Sequence, residues 1–65
     1  MYVIEDVTLP NNQYRMVLND GQSVVVREVR PQNEAPYLSK VHGDFTPEII
    51  NAITNFSRLQ VKINP

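Results

Sequence analysis

Ser39, His42 and Asp44 bring a hydroxyl, an imidazole and a carboxylate into one short stretch, the side-chain types of a nucleophilic hydrolase. That chemistry needs a nucleophile on a rigid turn, an imidazole oriented by the acid, and donors waiting for the oxyanion. Residues so close along the chain rarely satisfy all three demands. The plainer reading is a solvated loop. A metal is the next possibility, because His42, Asp44 and Glu48 straddle the start of an expected helix. A stable site needs three or four converging ligands and groups behind them to orient the ligands. Asp44 serves the turn before the helix more simply.

The remaining chemistry is thinner. Glu5 and Asp6 are adjacent, so on a strand they point to opposite faces and cannot work as a close carboxylate pair. Gly21 and Gly43 are the chain's two glycines, and neither belongs to a phosphate-cradling loop motif. No catalytic residue, metal or cofactor is expected, and the chain does not read as an enzyme.

Basic residues offer a binding alternative. Arg15, Arg27, Arg30 and Lys40 belong to, or closely follow, a β-hairpin, and arginines on a β-ribbon can grip nucleic acid. The net charge of −1 supplies no overall basic excess for that role.

These side chains must be positioned by few elements. With 65 residues there is room for one domain, 1–65. A chain of this size is marginally stable by itself, and without cysteine it has no disulfide or thiolate metal site to staple it. Apolar residues make up 42% of the chain and charged residues 20%, a folded rather than a disordered composition. No basic segment precedes an apolar run at the N-terminus and no apolar run could span a bilayer, so a cytoplasmic protein without membrane contact is expected.

Tyr2 to Leu9 reads as a strand, with Val3, Val7 and Leu9 on one face and Tyr2 and Ile4 on the other. Pro10-Asn11-Asn12 marks a turn. Tyr14 to Leu18 and Gln22 to Val29 alternate around Asn19-Asp20-Gly21, a hairpin signal. A three-residue loop pairs Met16 with Val24 and Tyr14 with Val26. It gathers Tyr14, Met16, Leu18, Val24 and Val26 on one face and puts Gly21 at a left-handed bulge position. A two-residue loop would scatter that face. Tyr37 to His42 could form a short strand. Thr46 is a good N-cap, Pro47 suits the first helical position, and Phe45 with Ile50 fits a hydrophobic staple. Ile49, Ile50, Ile53 and Phe56 follow helical spacing, and Arg58 falls in the expected last turn. Leu59, Val61 and Ile63 then alternate as a final strand, and Pro65 closes the chain.

The expected fold is therefore α+β. A small, mainly antiparallel sheet of four to five strands carries one helix, about 46–59, on one face, in the order β-β-β-(β)-α-β. The expected core is Ile4 or Val7 with Leu9, Tyr14, Met16, Leu18, Val24, Val26, Ile49, Ile53, Phe56, Val61 and Ile63. One helix cannot cover both faces, and Val17 and Val25 fall on the uncovered one. The polar helix face of Asn51, Thr54, Asn55 and Arg58 lacks the Glu and Lys usual on a solvated helix. The sequence thus reads first as a non-catalytic protein-binding module: a small adaptor, an inhibitor, or a homodimer. Val17, Val25, Asn51, Thr54, Asn55 and Arg58 are its interface candidates. A nucleic-acid-binding accessory protein using Arg15, Arg27, Arg30 and Lys40 is the alternative.

Overall fold

Alternation of apolar and polar residues in the first half of the chain produces a meander. Strands β1 (Val3–Leu9), β2 (Gln13–Leu18), β3 (Ser23–Val29) and β4 (Tyr37–His42) lie side by side in chain order, each antiparallel to the next. Helix α1 (Pro47–Ser57) follows, and the short β5 (Gln60–Lys62) joins the sheet parallel to β4. Two parallel neighbours require a crossover connection, and α1 provides it. The expected α+β class and element order hold, and the short strand from Tyr37 to His42 is present. The computed structural model describes residues 1–63; Pro65 lies outside them.

The hairpin adopts the three-residue loop. Met16 pairs with Val24 and Tyr14 with Val26. The Leu18 amide donates to the Gln22 carbonyl at 2.8 Å, and the Gly21 amide donates to the Leu18 carbonyl at 3.0 Å. Gly21 has φ +91°, as a left-handed bulge residue should. The Asp20 carboxylate accepts from the Gln22 amide at 3.0 Å and from Gln22 Nε2 at 2.6 Å. The β1–β2 turn uses two left-handed residues, Asn11 and Asn12. Asparagine tolerates that region better than most residues with a Cβ.

One expected alternation fails. Val3 pairs with Leu18, whereas Glu5 pairs with Val17, so Ile4 is an extra residue in a β-bulge. The bulge moves Val3 to the helix side, while Val7 and Leu9 fall on the opposite face. Neither Ile4 nor Val7 therefore joins the core, and neither does Leu9; Ile4 is 58% exposed. A second irregularity, at Val25/Val26 against His42/Lys40, leaves Val41 as the extra residue of β4.

The helix starts as its sequence predicts. Thr46 is extended (φ −71°, ψ 161°), and its hydroxyl accepts from the Ile49 amide at 3.3 Å. It ends earlier than expected, at Ser57. The Ser57 hydroxyl donates to the Ile53 carbonyl at 2.8 Å and accepts from the Leu59 amide at 3.1 Å, side-chain bonds that compete with further helical ones. Arg58 is thus not in the last turn but is the C-cap, left-handed at φ 63°, with its amide donating to the Thr54 carbonyl at 2.8 Å.

The core is Met16, Leu18, Val24, Val26 and Leu38 from the sheet and Ile49, Ala52 and Ile53 from the helix, with Val3, Tyr14, Phe45, Leu59 and Val61 packed around it. Leu38 and Ala52 were not expected there. Phe56 and Ile63, which were, are 48% and 41% exposed.

The two glycines differ in what a side chain would meet. A Cβ at Gly21 would meet nothing within 4 Å, while at Gly43 (φ +117°) it would lie 2.8 Å from Val24 Cγ1 and 3.1 Å from Val24 Cα. Gly21→Ala should cost roughly 1 kcal/mol through backbone conformation alone. Gly43→Ala should cost clearly more, because a core valine must also move. Urea midpoints of the two variants check this, and equal losses would contradict the tight approach of Gly43 to β3. Hydrogen bonds from Gln22 hold the Asp20 carboxyl below its ordinary pKa of 3.8. A lowered folded pKa contributes stability above the unfolded value that is lost as pH falls through the folded one. Asp20→Asn should therefore remove part of the acid-induced loss of stability below that value and leave the neutral-to-basic limb unchanged, as read from unfolding curves across pH.

Candidate functional site

Strand parity separates the sheet into two surfaces. Met16, Leu18, Val24 and Val26 point toward α1. Their alternates point away, so Val17 and Val25 share the outer face with Arg15 and Arg27. The β1 bulge adds Val7, opposite Arg15, and Leu9, opposite Gln13. Val29, paired with Tyr37, extends the same face onto β4. These five aliphatic side chains are only half-buried, because no second layer lies over them.

The basic candidates are split. Arg15 stands opposite Val25 and Arg27 opposite Gln13, which makes the two arginines diagonal neighbours on the outer face. Both are exposed, and neither forms an ion pair among the described residues. Arg30 is committed elsewhere, with its Nε 2.8 Å from Glu28 Oε2. That contact and the adjacent Glu28 charge hold the guanidinium pKa above its usual value. Lys40 pairs with Val26 on the helix side, its ammonium 5.9 Å from the Phe45 ring centre. On the outer face Lys62 takes a further cationic place, 4.3 Å from the Tyr37 ring centre and 3.8 Å from Glu34 Oε1.

The other interface candidates lie across the domain. Asn51, Asn55 and Arg58 are exposed on the helix and at its cap, and Thr54 is half-buried. They cannot share one flat contact with Val17 and Val25. Ser39 sits on β4 opposite Arg27, and His42 and Asp44 are exposed past the β4 bulge. Among the described residues no hydrogen bond links these three, and no group of three His, Asp or Glu side chains is placed to hold a metal.

A second feature had no signal in the sequence. Under the last turn of α1 lies an open cleft of about 240 Å³. Met16, Leu38 and Leu59 give it an apolar lining; Asp6, Tyr14, Glu28 and Ser57 bring polar groups; Phe56 lines it from the helix. Phe56 follows Ile49 and Ile53 at helical spacing, so it lies on the stripe that elsewhere is buried. It stays exposed because it stands over this gap. The Tyr14 hydroxyl is 3.4 Å from Glu28 Oε1. With Arg30 on its other oxygen, Glu28 is occupied on both sides. Asp6 has no hydrogen-bond or ion-pair partner among the described residues.

Among the described residues no helix is long and apolar enough to cross a membrane. The chain matches no known family model, no curated protein and no solved structure.

The placement of Phe56 has a direct test. Ile53→Ala should lose about 2–5 kcal/mol, as core truncations do. Phe56→Ala should lose less than about 1 kcal/mol, as expected for a change outside the packed core. Thermal unfolding distinguishes them, and a Phe56 loss as large as that of Ile53 would place the ring in the core.

Proposed function

We propose that this chain is a non-catalytic protein-binding module whose contact surface is the outer face of the sheet. The observation that carries this reading is that five half-buried aliphatic side chains, Val7, Leu9, Val17, Val25 and Val29, are spread over three strands, with Arg15 and Arg27 among them, on a face that the single helix does not cover. Covering such a face removes apolar surface from water, the main favourable term in protein association. A stable contact buries about 800 Å² per partner, so on a molecule whose longer dimensions are 36 and 24 Å the partner would have to cover most of this face.

Self-association through this face is the simplest form of the proposal, and a different protein, as for an adaptor or inhibitor, is its other form. A cytoplasmic setting belongs to the same reading. Nucleic acid is the weaker fit. Arg30 and Lys40 turn away from the outer face, which leaves Arg15 and Arg27 among aliphatic side chains. Bases stack on aromatic rings rather than on valines, and the Tyr37 ring on this face is already in contact with Lys62.

Sedimentation at micromolar concentration, combined with co-purification from the native host, tests the proposal. The wild-type chain should sediment above monomer mass or retain a partner. Val25→Glu and Val17→Glu should abolish that association and leave a folded monomer, whereas Ile53→Glu should unfold the chain. A wild-type chain that is monomeric and partner-free, or an association indifferent to both valine substitutions, would refute it.

A further inference from the structure

We infer that the cleft under the helix end is a separate binding site, which takes a cationic side chain, arginine or lysine, from a partner protein. It lies on the helix-bearing side of the sheet, remote from the outer valine face, so it stands independently of the function proposed above.

Phe56 supplies the first argument. Its position on the apolar stripe of α1 should bury it, yet it is 48% exposed above a gap of about 240 Å³. A side chain that fills the gap would give the ring the contact that its neighbours Ile49 and Ile53 already have. The lining indicates the chemistry of that side chain. Met16, Leu38 and Leu59 suit an alkyl stem, and the lining includes two aromatic rings, Phe56 and Tyr14, a residue type whose face attracts a cation. Asp6 supplies a carboxylate without a partner among the described residues. Glu28 is already held by Arg30 and Tyr14. The charge available to a ligand is therefore that of Asp6, while Glu28 adds a negative field that Arg30 partly offsets. An alkyl stem ending in a guanidinium or ammonium matches this set; a carboxylate or phosphate does not.

Size indicates the source. Small-molecule sites usually enclose about 300–1,000 Å³ and most of the ligand. This cleft is smaller and open, so it suits one side chain whose backbone stays outside.

N-acetyl-arginine amide and N-acetyl-lysine amide are the probes, with N-acetyl-citrulline amide as the neutral near-isostere of arginine and free agmatine as a small cation without a peptide frame. Amide chemical shifts of the full chain report binding. The arginine and lysine amides should move the signals of Asp6, Tyr14, Glu28, Phe56 and Ser57 with a Kd on the order of 1–10 mM, as expected for a ligand of that size. Citrulline amide should bind at least about tenfold more weakly, the step that one lost charge-assisted contact produces. Asp6→Asn and Phe56→Ala should each weaken arginine binding several-fold while the spectra stay dispersed. Agmatine binding much more tightly than the arginine amide would assign the cleft to a free organic cation and overturn the partner side chain. Equal binding of citrulline and arginine, shifts that map away from the cleft, or indifference to Asp6→Asn would overturn the site itself.

Discussion

Ile49, Ala52 and Ile53 of α1 pack onto Leu18, Val24, Val26 and Leu38 of the sheet, and this one contact between two layers holds the domain together. All seven side chains are at most 4% exposed. Each fully buried aliphatic side chain contributes about 1.5–3 kcal/mol relative to exposure. In a chain without disulfides little else can offset the entropy of ordering. The one helix of 11 residues lies on a single face of the five-stranded sheet and approaches both of its edge strands, β1 and β5. Two surfaces are left short of cover: the whole outer face, and the ground beneath the last helical turn.

Those two surfaces differ in kind. The outer face is broad and aliphatic, with Arg15 and Arg27 set among its valines, suited to area and charge complementarity. The cleft is narrow, with aromatic rings and a free carboxylate, suited to one projecting side chain. Their positions on opposite sides of the sheet would let both be occupied together.

Much of the fold was legible because it rests on local rules. The Asn19-Asp20-Gly21 loop, the Met16–Val24 register and the Thr46 cap each follow from turn chemistry and the wish to gather apolar residues on one face. Errors arose where an extra residue entered a strand. Ile4 looks like any alternating strand residue, and nothing in its type announces a bulge; the misplacement of Val7 and Leu9 follows from it. Leu38 and Ala52 were hidden for a different reason. A lone leucine in a short strand and an alanine in a helix become core only through what packs against them. Of the candidate sites, Val17 and Val25 could be assigned to one face from register alone. The cleft could not, because it joins Asp6, Tyr14, Glu28 and Phe56 from elements distant in sequence, and spacing shows Phe56 as an ordinary core residue.

The parallel pairing of β5 with β4 also sets an order of events for the folding chain. Strands β1 to β4 meet their neighbours across short turns, and closing short loops costs little entropy. The segment from Gln60 to Lys62 finds its partner only after the chain has passed over the sheet as α1. That last strand adds just three residues of pairing. With so little pairing to hold it, β5 is the strand expected to open most readily, and faster amide exchange there than in the meander would show it. The cleft inherits this weakness, since Leu59, which helps to line it, sits at the hinge between the helix and that strand. A side chain held there would fasten the least secure end of the sheet.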